Sequence, residues 1–168
     1  MRKNDESDDA PKSTAKDAHP KRVISTHAIT INRATDEVYG FFRDLAKAPL
    51  YMNDVERVNV SGLRSHWVGK HGKWDSEITE DIRGKEFTWQ AEDSAGRATF
   101  DDVPGRGTVL TLTMAYEQSL IAKLVDKVRQ TDPAIQSRRD LRRLKQLLET
   151  GEIATSARNR RMLAGEAK

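Results

Sequence analysis

No cysteine occurs anywhere in the 168 residues. Disulfide staples, thiolate nucleophiles and thiolate-ligated zinc are therefore excluded. Long hydrophobic runs are missing as well. The longest apolar stretch is a few residues, far short of the roughly 20 that a membrane-spanning helix needs. The opening Met1-Arg2-Lys3-Asn4-Asp5-Glu6 has no apolar segment behind it, so no secretory signal is expected and a cytoplasmic location is. A strong surplus of one charge is absent too: 29 Lys and Arg stand against 26 Asp and Glu, a formal +3. Large apolar side chains are scarce at both ends. Residues 1–21 read as a disordered tail, because such a composition buries too little surface to offset ordering entropy. Residues 153–168 read as a flexible basic tail. The stretch 22–152 remains as one domain, about 130 residues and enough for a single core.

What is present is alternation. Between Val55 and Tyr116 six short runs alternate apolar with polar residues, separated by Gly62, Gly69–Gly72, Gly84, Asp93–Gly96 and Pro104–Gly107. A sheet with one wet and one buried face needs this period of two. Val23 to Ile31 adds a seventh run, with Val23, Ile29 and Ile31 on one parity. Loops of two to five residues predict antiparallel hairpins.

Helical spacing appears in three places. Val38, Phe41, Phe42 and Leu45 follow Thr35, a predicted N-cap, with Asp36 and Glu37 in the first turn where the helix dipole favours them. Pro49 redirects the chain, and Leu50-Tyr51-Met52 predicts a further short turn. After Tyr116, Leu120, Ile121, Leu124, Val125 and Val128 form a stripe with Ser119 as cap. Asp132-Pro133 then starts another helix, carrying Ile135, Leu141, Leu144, Leu147 and Leu148 to a stop at Gly151.

The familiar catalytic patterns are absent: no P-loop, no dinucleotide fingerprint, no His-Glu-x-x-His and no nucleophile elbow. Gly105-Arg106-Gly107 reads as a hairpin turn. His66 and His71 lie near Asp75 and Glu77, but the histidines flank a turn and the carboxylates take the solvent parity, which argues against a metal site. His19 and His27 have no evident partner in the sequence. The sequence calls for no cofactor and no metal.

Glu80 shares the parity of Trp74, Ile78 and Ile82, so its carboxylate is expected to point inward, with Ser76 on the same parity. A buried carboxylate is costly unless paired, protonated or wetted. Either a bulge or strand end returns it to water, or it orients a ligand in an apolar pocket. Trp67, Trp74 and Trp89 also take buried parities, where aromatic rings fill a core or line a cavity. Arg138, Arg139, Arg142, Arg143 and Lys145 crowd one helix. They read as a solvated face, or as a contact for anionic membrane surface or RNA.

These residues, in this order, resemble the bacterial SRPBCC proteins, the START-like superfamily of polyketide cyclase/dehydrase or coenzyme Q-binding type. The likeness runs from Ile29-Thr30-Ile31-Asn32-Arg33-Ala34-Thr35-Asp36-Glu37-Val38-Tyr39 through Phe42, Asp44, Pro49 and Tyr51-Met52. Trp67-Val68, Trp74-x-x-Glu77-Ile78-x-Glu80, Phe87-x-Trp89, Gly96-x-x-x-Phe100 and Gly105-Arg106-Gly107-Thr108 follow. Asp140-Leu141-Arg142-Arg143-Leu144-Lys145 and Glu149-Thr150-Gly151-Glu152 complete it, so the span is about Val23 to Glu152. Ala34 stands where the family usually has Pro, and Glu117-Gln118-Ser119 where it tends to carry Pro and Gly. The resemblance implies an α+β helix-grip fold: a seven-stranded curved antiparallel sheet wrapped around a long C-terminal helix, with two short helices after the first strand.

It also implies a hydrophobic cavity between sheet and helix, since members bind lipids, quinones, polyketides or hormones and some are enzymes. The expected lining from the sheet is Trp67, Ile78, Glu80, Trp89 and Phe100, then Leu112 and Met114. From the helix come Leu141, Leu144 and Leu148. No catalytic set carries over. The leading expectation is a carrier or chaperone for a small hydrophobic molecule, with binding from apolar burial at roughly 25 cal/mol per Å². The alternatives are a cyclase or dehydratase using Glu80 or Tyr116 as acid or base, and a ribosome- or RNA-associated protein.

Overall fold

The computed structural model describes residues 22–118 and 132–152. The expected tails, 1–21 and 153–168, and the helical stripe from Leu120 to Val128 lie outside the described residues. Seven strands form one antiparallel sheet: β1 Arg22–Ile31, β2 Val55–Ser61, β3 Arg64–Gly69, β4 Gly72–Ile82, β5 Glu86–Ala91, β6 Ser94–Val103 and β7 Gly107–Glu117. Their order is β1-β7-β6-β5-β4-β3-β2, a meander from β2 to β7 with β1 paired to the last strand. Helix α1 (Thr35–Arg43) and a 3-10 segment (Leu45–Leu50) connect β1 to β2, and the long helix α2 (Pro133–Thr150) closes the fold.

Register places side chains in rows across the inner face. Ile29 pairs with Leu110, and Leu110 with Phe100. Against these rows α1 packs Val38, Tyr39 and Phe42, while α2 packs Leu141 and Leu144. Tyr39 meets Phe100 edge-on at 5.4 Å, and Phe42 tilts on Phe87 at 5.7 Å. Such contacts add to the area term of aromatic burial. The β1–α1 corner closes on the β6–β7 turn, where Gly107 has φ +97° and a Cβ would stand 2.2 Å from the Ile31 carbonyl oxygen. Only glycine fits there.

Helix α2 begins as its sequence predicts. Asp132 Oδ1 accepts from the Ala134 amide at 2.9 Å, Pro133 takes the first helical position, and Gly151 ends the helix at φ +75°. Polar bonds tie its far end to the open edge of β1. Lys145 Nζ donates to the Thr30 carbonyl at 2.6 Å, and the Asn32 amide donates to Glu149 Oε1 at 2.8 Å. An edge strand covered this way is a poor template for aggregation.

Three local expectations are corrected. The N-cap of α1 is Ala34, without a side-chain cap bond, and Thr35 is the first helical residue, its hydroxyl 3.1 Å from that of Thr108. Trp74 shares the inner face but is 40% exposed, because it sits beside the turn of the β3–β4 hairpin, stacked on Trp67 at 5.6 Å. The third concerns β4. Its pairing with β5 runs Ser76–Ala91 and Ile78–Trp89, then slips so that Glu80 meets Thr88 and Asp81 meets Phe87. A bulge inserts one residue and reverses the faces beyond it. Glu80 and Ile82 therefore turn to solvent, and Asp81 takes the inner face in place of Glu80. Its carboxylate accepts from the Tyr39 hydroxyl and from Arg43 Nε, the latter at 2.8 Å, which pins α1 to β4. Burial, together with Asp81, pushes the Tyr39 phenol up to about 12.

Candidate functional site

The inner face divides into two parts. Toward the β1–α1 corner it is closed: Ile31, Val38, Leu110 and Leu144 are fully buried and Phe87 nearly so. Toward the opposite end the rows loosen. Ser25 pairs with Met114, Met114 with Gly96, and Gly96 with Trp89. Along this row Ser25, Met114 and Trp89 are all half-buried. The Trp89 indole lies on Gly96, where a Cβ would come within 2.1 Å of the ring. The missing side chain is thus the seat of the indole.

Beyond Trp89 the face continues through Ile78, which is buried, to a polar knot. Trp67 Nε1 donates to Ser65 Oγ at 2.9 Å and Ser76 Oγ at 3.1 Å, and the two hydroxyls share a 2.8 Å bond. All three residues are buried, and Trp67 packs with Ala48, Val55 and Val58. Sharing their polar atoms among themselves leaves the apolar surroundings undisturbed.

Of the residues expected to line a cavity, Phe100, Leu112, Leu141 and Leu144 belong to the packed core, with Leu148 half-buried against it. Trp89 and Met114 border the loose end, and Ile78 adjoins it. Trp67 stands apart in its own cluster. Glu80 does not take part, for the reason given by the bulge.

A candidate site residue not singled out in the sequence is Asp140. It lies on the inner stripe of α2, four residues before Leu144, and is 7% exposed. Gln136 Nε2 and Arg143 Nη1 donate to Oδ1 at 3.1 and 3.0 Å, and the Asn53 amide of the loop before β2 also bonds the carboxylate. Burial outweighs these partners and raises the carboxyl to about 6. Two phenols lie within its electrostatic reach. Tyr51 is driven up by full burial and then by Asp140, and Tyr116, bonded to Ser137, is raised chiefly by burial. The spacing Asp140–Leu144–Leu148 was the available signal. Ser25 and His27 were legible in the same way, since they share the parity of Ile29 and Ile31. Ser25 Oγ and His27 Nε2 are buried and have no hydrogen-bond partner among the described residues.

The other face of the sheet carries an open concavity of about 670 Å³ bordered by Asn59, Arg64, His66, Asp75, Glu77 and Gln90. Two charge pairs border it, Arg64 with Glu77 at 3.6 Å and His66 with Asp75 at 2.6 Å, and Glu92 also lines it. Among the described residues no group of three or more His, Cys, Asp and Glu is arranged to hold a metal ion, and no helix is long and apolar enough to cross a membrane. Of the basic cluster on α2, Arg138, Arg139 and Arg142 are exposed, while Arg143 is drawn inward by Asp140.

The sheet order, the covering helix α2 and the two short helical pieces after β1 define the START-like, or SRPBCC, helix-grip fold. The protein DR_A0006 from Deinococcus radiodurans has a crystal structure that superposes with a TM-score of 0.59 at 28% identity, covering 77% of this chain and all of its own. The di-domain ARO/CYC StfQ from the steffimycin biosynthetic pathway superposes at 0.57 with 14% identity, over 76% of this chain and 51% of that one. In sequence, an uncharacterized 17.2 kDa protein of the melC2-rnhH intergenic region of Streptomyces lincolnensis is 27% identical over 132 residues, 73% of this chain and 87% of that protein. No family model matches the sequence.

Proposed function

We propose that the protein binds a small hydrophobic molecule, of lipid, quinone or polyketide type, at the loose end of the grip. The observation that carries this reading is the half-burial of Trp89 and Met114 on a concave face whose other end is solidly packed. Apolar rings and thioethers left partly open on an inner face, next to a helix, are what an apolar guest covers. Phe100, Leu112, Leu141, Leu144 and Leu148 form the wall behind it, and Ile78 extends the apolar surface. Affinity comes from area removed from water, at roughly 25 cal/mol per Å². Titration of the protein with quinones and fatty acids, followed by tryptophan fluorescence and thermal shift, tests this. Binding should quench Trp89 and raise the melting temperature. A panel that moves neither signal overturns the reading.

A second reading, chemistry of the cyclase kind, is favoured by Asp140. A buried carboxyl that titrates near 6 can exchange a proton at neutral pH, and the likeness to StfQ lends it support. The enzyme reading requires Asp140→Asn to abolish turnover while leaving ligand affinity intact. Unchanged turnover in that variant rejects it.

A further inference from the structure

We propose that the crevice between β1 and α2 is a binding site for a phosphate group, a site that shares only Leu141 with the hydrophobic one. The crevice has a volume of about 200 Å³ and is lined by His27, Ala28 and Ile29 of β1 and by Arg138, Leu141 and Arg142 of α2. Among the described residues no carboxylate lines it.

The charges of α2 sort themselves by partner. Arg143 is held by Asp140, and Lys145 by the Thr30 carbonyl and Glu149. Arg138 and Arg142 stand one turn apart on the side of the helix nearest the β1 edge. Both are exposed, and among the described residues neither has an ion-pair partner. Two unpaired guanidinium groups at one opening repel each other, and an anion between them turns that cost into attraction.

The strand supplies further donors. The Thr30 carbonyl and the Asn32 amide point away from β7, toward α2, where Lys145 and Glu149 bond them. In an antiparallel edge strand the outward-pointing groups recur at every second residue. The Ala28 amide therefore faces the same open side, at the crevice. His27 lies beside it with Nε2 buried and, among the described residues, unpartnered. Buried polar atoms in folded proteins nearly always have a partner, and an oxygen seated in the crevice supplies the missing one.

Donors thus converge from three directions: two side-chain forks from the helix, an amide from the strand edge, and an imidazole from below. A tetrahedral phosphate offers three or more acceptor oxygens to such a set. A planar carboxylate offers two. The volume accommodates one phosphate group. Ile29 and Leu141 give the ester carbon of a phosphate an apolar wall. Inorganic phosphate and a phospholipid headgroup present the same chemistry to these residues.

Inorganic phosphate is titrated into the full chain at low ionic strength, with calorimetry and amide and imidazole nitrogen shifts as readouts. Saturable binding is expected, with the Ala28 amide and the His27 ring moving most. Arg138→Gln and Arg142→Gln should each weaken binding about tenfold. Arg139→Gln, an equally exposed charge on the same helix outside the crevice, should leave it unchanged. All three are surface substitutions, and matching melting temperatures confirm that the fold persists. Vesicles of phosphatidylcholine with phosphatidic acid distinguish the source. Vesicle binding that phosphate displaces assigns a lipid headgroup, and phosphate binding alone assigns a soluble phosphate. The proposal is overturned if neither phosphate nor vesicles bind saturably, if Arg139→Gln weakens binding as much as Arg142→Gln, or if Ala28 and His27 stay still.

Discussion

Trp89 and Gly96 face each other across β5 and β6, and the indole occupies the place a side chain at Gly96 would take, 2.1 Å from its ideal Cβ position. The pair sets the shape of the loose end of the grip. Gly96→Ala must displace the ring or the strand. A cost of about 1–3 kcal/mol is expected, as for overpacking elsewhere, together with a shifted tryptophan emission spectrum. Unchanged emission and stability would mean that the indole does not rest on Gly96.

The bulge in β4 predicts that neighbouring acids behave oppositely. Asp81 holds Tyr39 and Arg43 of α1, whereas Glu80 points to water. Asp81→Ala should lower stability by about 1–3 kcal/mol because a phenol loses its acceptor. Glu80→Ala should stay within about 0.5 kcal/mol. Chemical denaturation of both variants decides the register, and equal losses would contradict it.

Trp67 distributes one N–H over two serines. Ser65→Ala or Ser76→Ala alone leaves an acceptor in place, and each should cost less than about 1 kcal/mol. The double variant strands the indole N–H in an apolar cluster, at about 1–3 kcal/mol. The expected signature is a double-mutant cycle that does not add. Simple additivity would show that the two hydroxyls act separately.

Asp140 predicts a pH dependence of stability. Its carboxyl titrates near 6 in the folded protein and at 3.8 when unfolded. Between these values the folded state holds the proton more tightly, so the group favours folding as pH falls through about 6 and opposes it above. Asp140→Asn should therefore stabilise the protein above pH 7, on the order of 2 kcal/mol. The gain should fade toward pH 5. Melting curves of both proteins from pH 5 to 8 measure this, and a constant difference would place the charge in water.

Much of this was legible along the chain because a half-buried sheet writes its period into the residues. The hairpins of β6 and β7, the Asp132-Pro133 start and the Gly151 stop each rest on a local rule, and local rules survive without tertiary knowledge. Glu80 shows where they fail. One bulged residue reverses the faces of everything after it, and neither Ile78 nor Thr79 announces the slip. Asp140 was hidden differently. It reads as one more acid in a charged helix, and its energetics depend on which loop comes to lie against it.

The amino-acid order alone decided that alternating runs would form a one-sided sheet and that an amphipathic helix would cover it, since burial of apolar area rewards nothing else in this pattern. Only the folded chain decided which polar groups that covering would trap. Asp140, Ser25 and His27 acquire their character from neighbours far away in sequence, because the cost of removing a polar group from water depends on its surroundings and not on its identity.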